Sequence, residues 1–177
     1  YFFSGLSMQT FLVLTVIGED KPGLVESIAQ VIMDNSGNWL ESSMSQLAGK
    51  FAGILRVSVK NEKADNLVSE LNNLSEKLKV VIERVDVEQE NLLSQLVELT
   101  LVGNDRPGII REISGALNTL SVNFEQLTTE CTPAPMSGDI LFKAVANLTL
   151  PRNLDIDVLR EDLEKLADDL IVEIRLK

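Results

Sequence analysis

The residues best suited to chemistry lie in one short sequence motif that the chain contains twice. GEDKPGL at residues 18–24 returns as GNDRPGI at residues 103–109. Each copy follows an apolar, strand-like run and opens an amphipathic, helix-like one. Free backbone amides and the positive end of a helix dipole favour a carboxylate or phosphate at such a point. A neighbouring aspartate can face an ammonium group, so the pattern predicts a site that suits both ends of a free amino acid.

The candidate ligand-binding residues follow from the two copies and from one asparagine that recurs at the same offset. They are Asp20, Pro22, Gly23, Leu24 and Asn38 in the first copy, and Asp105, Pro107, Gly108, Ile109 and Asn123 in the second. Each asparagine precedes the second predicted strand of its repeat and is a candidate polar partner across an interface. A structural interpretation stays open at this point. Aspartate can cap the helix, proline can start it, glycine permits a tight turn and asparagine suits a helix-to-strand turn.

Composition excludes several classes of function. The chain of 177 residues contains no histidine and a single cysteine, Cys131, which removes the common general base, intrachain disulfides and most zinc sites. A net charge of −11 argues against direct nucleic-acid binding. No apolar stretch approaches the length of a membrane span. We therefore expect a cytoplasmic protein without catalytic residues, metal or cofactor.

The repeat predicts two small domains with the same element order. Apolar periodicity indicates strand, helix, strand, strand, helix, strand in each half. This βαββαβ order predicts an α+β fold of two ferredoxin-like domains, each an antiparallel four-stranded sheet with two helices on one face. The predicted domains are 8–88 and 95–177, with a linker at 89–94, and we interpret 1–7 as a non-native remnant of the expression vector before a natural start at Met8.

The first strand of each repeat is apolar on both sides, which predicts burial on both faces. The bare face of each sheet is therefore expected to be covered by another domain or subunit, and a homodimer is expected. The Pro-bearing loop at 133–138 replaces a tight turn of the first repeat and is a candidate partner contact.

Two copies of G-x-D-x-P-G followed by a helix and then Asn-Trp39 or Asn-Phe124 resemble ACT domains. These are ferredoxin-like modules that commonly bind amino acids at interfaces. The tandem arrangement resembles the glycine cleavage system transcriptional repressor family. That resemblance implies a non-enzymatic regulator that responds to glycine and acts through a DNA-binding transcription activator. The alternative is an ACT-type regulatory subunit of an enzyme of amino-acid metabolism.

Overall fold

The computed structural model describes residues 8–86 and 94–177. These residues form two compact units, one on either side of the gap. The predicted vector remnant at 1–7 and all but the last residue of the predicted linker lie outside the described residues. Each unit is considered by itself below.

Both units contain the predicted order of elements. The first contains β1 Gln9–Glu19, α1 Leu24–Asp34, β2 Asn38–Leu47, β3 Lys50–Lys60, α2 Asn61–Asn72 and β4 Leu78–Val85, with a 3₁₀ turn at Asn73–Glu76. The second contains β5 Ser94–Asn104, α3 Ile109–Thr119, β6 Asn123–Pro133, β7 Ile140–Pro151, α4 Ile156–Glu164 and β8 Ile171–Leu176. The βαββαβ prediction is confirmed in both halves.

The two sheets have the same topology. Strand order is β2-β3-β1-β4 in the first unit and β6-β7-β5-β8 in the second, with every adjacent pair antiparallel. The first strand of each repeat, β1 or β5, is an inner strand of its sheet. This order is the ferredoxin-like arrangement that two interleaved βαβ crossovers produce.

Alternate residues of the central strands form the core with the helices. Leu12, Leu14 and Val16 of β1 are almost fully inaccessible and belong to one cluster with Ile28 of α1 and Leu67 of α2. The second unit repeats this packing with Val97, Leu99 and Leu101 under α3 and α4. Within one chain β1 is buried on one face only. Thr15 and Ile17 are exposed because both helices pack on the other face of the sheet. Burial of the second face by another subunit stays a prediction.

The first helix of each unit ends in the same motif. Gly37 N–H donates to Ile32 C=O and Ser36 N–H donates to Met33 C=O, both at 2.9 Å. The equivalent amides of the second unit, from residues 121 and 122, donate to the carbonyls of residues 118 and 117. These are the two bonds of a Schellman motif, which needs a left-handed residue after the helix. Here that residue is serine, with φ of 55° at Ser36 and 57° at Ser121.

Candidate functional site

The repeated loop joins β1 to α1, and its copy joins β5 to α3. A backbone hydrogen bond fixes the start of each loop to the neighbouring hairpin. Asp20 N–H donates to Gly49 C=O at 3.0 Å, and Asp105 N–H donates to Ile140 C=O at 2.8 Å. The two loops are therefore held in the same place by the same kind of contact, although the hairpins differ in length.

The helices begin later than the motif predicts. Gly23 and Gly108 are the N-cap residues, and neither helix start has a side-chain cap. The interpretation of Asp20 and Asp105 as capping residues is therefore wrong, because each lies three residues before the N-cap glycine in the preceding turn. Pro22 and Pro107 also precede the helices and do not occupy their first turns.

Glycine at the cap has a conformational cause. Gly23 has φ of 90° and Gly108 has φ of 85°, in the left-handed region that other residues rarely adopt. A Cβ built on either glycine would meet no atom within 4 Å. The space on the Cβ side of each cap glycine is therefore open.

A groove of about 530 Å³ adjoins the first loop. Its lining includes three predicted residues, Pro22, Gly23 and Leu24, together with the cations Lys21 and Lys77. The sequence pattern did not reveal Lys77, because it lies immediately before β4, far from the motif in the chain. Asp20 does not line this groove. Three carboxylates, those of Glu19, Glu26 and Glu76, also line it. The groove therefore presents both signs of charge, which suits the ammonium and the carboxylate of a free amino acid better than a simple anion.

Local hydrogen bonds and an ion pair occupy other polar groups of the first loop. Ser27 Oγ donates to Gly23 C=O at 2.9 Å, which closes the first turn of α1. Glu19 forms an ion pair with Lys50 across the β1–β3 pair. The hydrogen bond and charge of that lysine hold the pKa of Glu19 below its usual range. Lys50 is therefore neutralised by its partner on the adjacent strand.

The second loop has the same backbone but different side-chain bonds. Arg106 takes the place of Lys21, and its guanidinium forms two hydrogen bonds with the Glu112 carboxylate and one of 3.3 Å with Leu166 C=O. This pairing raises the pKa of Arg106 and lowers the pKa of Glu112. Asn104 N–H donates to Asp169 Oδ2 at 2.7 Å. The second loop is thus cross-linked to α3 and to the end of α4, and an acidic side chain lies beside it.

Cys131 lies on β6 near the second loop. Burial raises the pKa of its thiol, and the charge of Asp105 and a hydrogen bond with it act in the same direction. The raised pKa favours the protonated thiol, which is the less reactive form. Asp105 is therefore positioned beside a neutral group.

The two predicted asparagines lie away from the loops of their own units. Asn38 is paired with Ser58, and Ser58 is paired with Phe11 near the beginning of β1. The loop follows Glu19 at the other end of β1. A strand rises about 3.3 Å per residue, so roughly 25 Å separates the two ends. Asn123 has the equivalent place in the second unit, paired with Thr149. Within one unit, neither asparagine joins the loop.

Within residues 8–86 and 94–177, no three or more side chains of the metal-binding types come together as a metal site. None of the helices described is long and apolar enough to cross a membrane.

The fold and the repeated loop define a tandem pair of ferredoxin-like modules. The ACT domain family matches residues 10–87, so the first unit belongs to that family. A UPF0237 protein of Methanocaldococcus jannaschii is 34% identical over 80 residues, which cover 43% of this chain and 89% of that protein.

Solved structures match over both units. A protein of unknown function from Galdieria sulphuraria has a TM-score of 0.83 at 23% identity, and the match covers 96% of this chain and 99% of that one. A protein provisionally named a glycine cleavage system transcriptional repressor has a TM-score of 0.71 at 14% identity, covering 97% and 100%. At these identities the likeness shows a shared fold.

Proposed function

We propose that this chain is a non-enzymatic regulatory protein that binds a small free amino acid and transmits the binding to a protein partner. One observation carries the proposal: a helix start whose glycine cap leaves open space lies beside a groove with two lysines, in an ACT-domain protein. The backbone amides and the lysines would receive the carboxylate of the amino acid.

The first loop is the better candidate of the two. Its groove contains Lys21 and Lys77, whereas the second loop has its arginine paired with Glu112 and the Asp169 carboxylate on a backbone amide. An incoming zwitterion would find lysines for its carboxylate and glutamates for its ammonium group at the first loop, whereas the arginine of the second loop is already paired and Asp169 lies beside that loop. We therefore assign ligand binding to Lys21, Pro22, Gly23, Leu24 and Lys77, and a mainly structural role to the second loop.

Glycine is the first ligand to test, and a DNA-binding transcription activator is the proposed partner. Both come from the resemblance to the repressor family, and the name of one structural relative agrees with it. Control by a ligand requires that the ligand bind two states of the protein with unequal affinity. The complex with the partner should therefore form to a different extent with and without glycine.

Calorimetric titration with glycine, followed by serine and alanine, tests the site. Asparagine at position 23 tolerates the left-handed backbone, but its side-chain amide would occupy the open space beside the loop. Gly23→Asn should therefore weaken amino-acid binding at least about tenfold. Gly138→Asn is the matched control, because Gly138 also has a positive φ and open space but lies in the β6–β7 hairpin. Equal affinities for both variants and the unaltered protein would refute the assignment of the loop.

Co-purification with and without glycine tests the partner. Recovery of a transcription activator in a glycine-dependent amount supports the proposal. Recovery of an enzyme of amino-acid metabolism would instead identify the chain as a regulatory subunit.

A further inference from the structure

The glycine next to the end of the first strand packs against a leucine in each unit. A Cβ built on Gly18 would lie 2.8 Å from Leu78 Cδ2. A Cβ built on Gly103 would lie 3.1 Å from Leu170 Cδ1. The residue that directly precedes this leucine is therefore equivalent in the two units; it is Lys77 in the first and Asp169 in the second.

Equivalent positions around the two loops carry the same total charge. The positions that line the first groove hold two cations and three carboxylates: Lys21, Lys77, Glu19, Glu26 and Glu76. The equivalent positions of the second unit also hold two cations and three carboxylates: Arg106, Arg111, Glu112, Asp168 and Asp169. The first set has one cation in the loop and one before the last strand, whereas the second set has its cations in the loop and in the first turn of α3. The loops therefore differ in the arrangement of charge and not in its sum.

The second loop is bonded to carboxylates of its own chain. Both oxygens of the Glu112 carboxylate accept hydrogen bonds from the Arg106 guanidinium. Asp169 Oδ2 accepts a hydrogen bond of 2.7 Å from Asn104 N–H, directly before the loop. A paired arginine and a charge-assisted bond to a backbone amide are strong contacts for an anion. The cation of this loop and the amide before it are thus already occupied by anions.

The first loop has no carboxylate at these two positions. Ser27 takes the place of Glu112, and its Oγ donates to Gly23 C=O at 2.9 Å. Lys77 takes the place of Asp169. Among residues 8–86 and 94–177, neither Lys21 nor Lys77 forms an ion pair. Their ammonium groups can therefore receive a carboxylate from outside the chain.

We infer that these two positions determine which repeat binds the amino acid, an inference that rests on the function proposed above. Serine and lysine at positions 27 and 77 leave the first loop open to a ligand carboxylate. Glu112 and Asp169 supply the second loop with carboxylates from its own chain. A ligand at the second loop would have to displace Glu112 from the arginine and approach the charge of Asp169. The chain therefore binds one amino acid, at the first loop.

Exchange of these residues between the repeats tests the inference. Calorimetric titration of the full chain with glycine, serine and alanine counts the sites, and the unaltered chain is expected to bind one amino acid. Glu112→Ser combined with Asp169→Lys gives the second loop the residues of the first, so this variant should bind two. Ser27→Glu combined with Lys77→Asp should weaken binding at the first loop at least about 100-fold.

Gly23→Asn assigns the two sites of the exchanged second loop. Added to Glu112→Ser and Asp169→Lys, it should weaken one of the two sites and leave the other unchanged. The matched control is Glu173→Ser combined with Asp157→Lys, which makes the same change of charge at carboxylates paired with other arginines of the second unit. This control should bind one amino acid. Circular dichroism shows whether each variant is folded.

A neutral variant covers the case in which the exchanged chain does not fold. Glu112→Gln combined with Asp169→Asn removes both charges with little change in size and should also produce a second, weaker site. An unaltered chain that binds none of the three amino acids would refute the proposed function, and this inference with it. Two sites in the unaltered chain would overturn this inference alone. So would a single site in a folded exchanged variant, or in the neutral variant where the exchanged chain is unfolded.

Discussion

The polar cluster at the end of α1 provides a prediction that can be worked through from the contacts. Asn35 is only 3% exposed. Its Nδ2 donates to Val31 C=O at 2.9 Å and to Glu70 Oε2 at 2.6 Å, and its Oδ1 accepts from Asn66 Nδ2 at 2.6 Å. The side chain thus connects the end of α1 to α2 through a partly buried carboxylate.

Asn35→Ala removes all three of these bonds and leaves Glu70 with a weaker partner in Asn66, at 3.4 Å. A hydrogen bond to a charged group is worth about 1.5–3 kcal/mol, and Glu70 can regain part of this from water. We expect a loss of about 2 kcal/mol in the free energy of unfolding of the first unit. A domain of this size has a total of roughly 4–12 kcal/mol, so the variant should remain folded.

Urea unfolding followed by tryptophan fluorescence measures this loss selectively. Trp39 is the only tryptophan in the chain and packs against the core of the first unit. With a slope of about 1 kcal/mol/M for a small domain, the midpoint should fall by about 2 M. Met33→Ala, at an exposed position of the same helix, is the control and should move the midpoint by less than about 0.5 M.

The second unit provides a comparison for the role of Asn35. Its counterpart of Asn35 is Leu120, which packs against an apolar core. Asn35→Leu should therefore recover part of the loss, because it replaces a polar group by buried apolar surface. A fluorescence midpoint that Asn35→Ala leaves unchanged would show that the three bonds contribute nothing net, and the reasoning would fail.

Three further predictions concern other sites. Ser36→Gly and Ser121→Gly should each stabilise the protein by about 0.5–1 kcal/mol, because glycine adopts the left-handed backbone of the Schellman motif without strain. A lower urea midpoint in either variant would contradict this prediction. Met136→Gly should stabilise the second unit by up to about 1 kcal/mol for the same reason, since Met136 is fully exposed and has φ of 77°. Thermal unfolding followed by circular dichroism would measure this gain in stability. The pairing of Glu112 with Arg106 lowers the carboxyl pKa in the folded state, so its contribution is complete above the usual pKa of about 4.3 and is lost as the pH falls through the lower folded value. Glu112→Gln should therefore reduce the dependence of stability on pH in that acidic range, and an unchanged pH profile of the urea midpoint would argue against the pair.

Much of the fold could be predicted from the sequence because its signals are local. The continuous apolar run of β1 and the four-residue spacing of Leu67 and Leu71 in α2 each depend on only a few neighbouring positions. Because the chain contains the element order twice, each element was predicted from two corresponding stretches of sequence. The exact start of each helix was not predictable in this way. Gly23 and Gly108 adopt positive φ, which delays the helix beyond the proline and removes the expected capping role of the aspartates.

The candidate site was only partly predictable. Pro22, Gly23 and Leu24 do line a groove, but Lys77 enters it from the residue before β4, and Asn38 lies at the opposite end of the sheet. Neither fact can be read from spacing along the chain. Both depend on strand register, which brings together residues separated by tens of positions.

The amino-acid sequence by itself determined the duplicated βαββαβ order, the ferredoxin-like class and the loops that resemble ACT domains, because each depends on local periodicity or on a short repeated phrase. Only the tertiary structure decided how the two repeats differ. The first loop adjoins a groove with two lysines, and the second is cross-linked by Arg106 and Glu112. These differences arise from side chains on separate elements, and their effects on charge and packing exist only once the fold has brought them into contact.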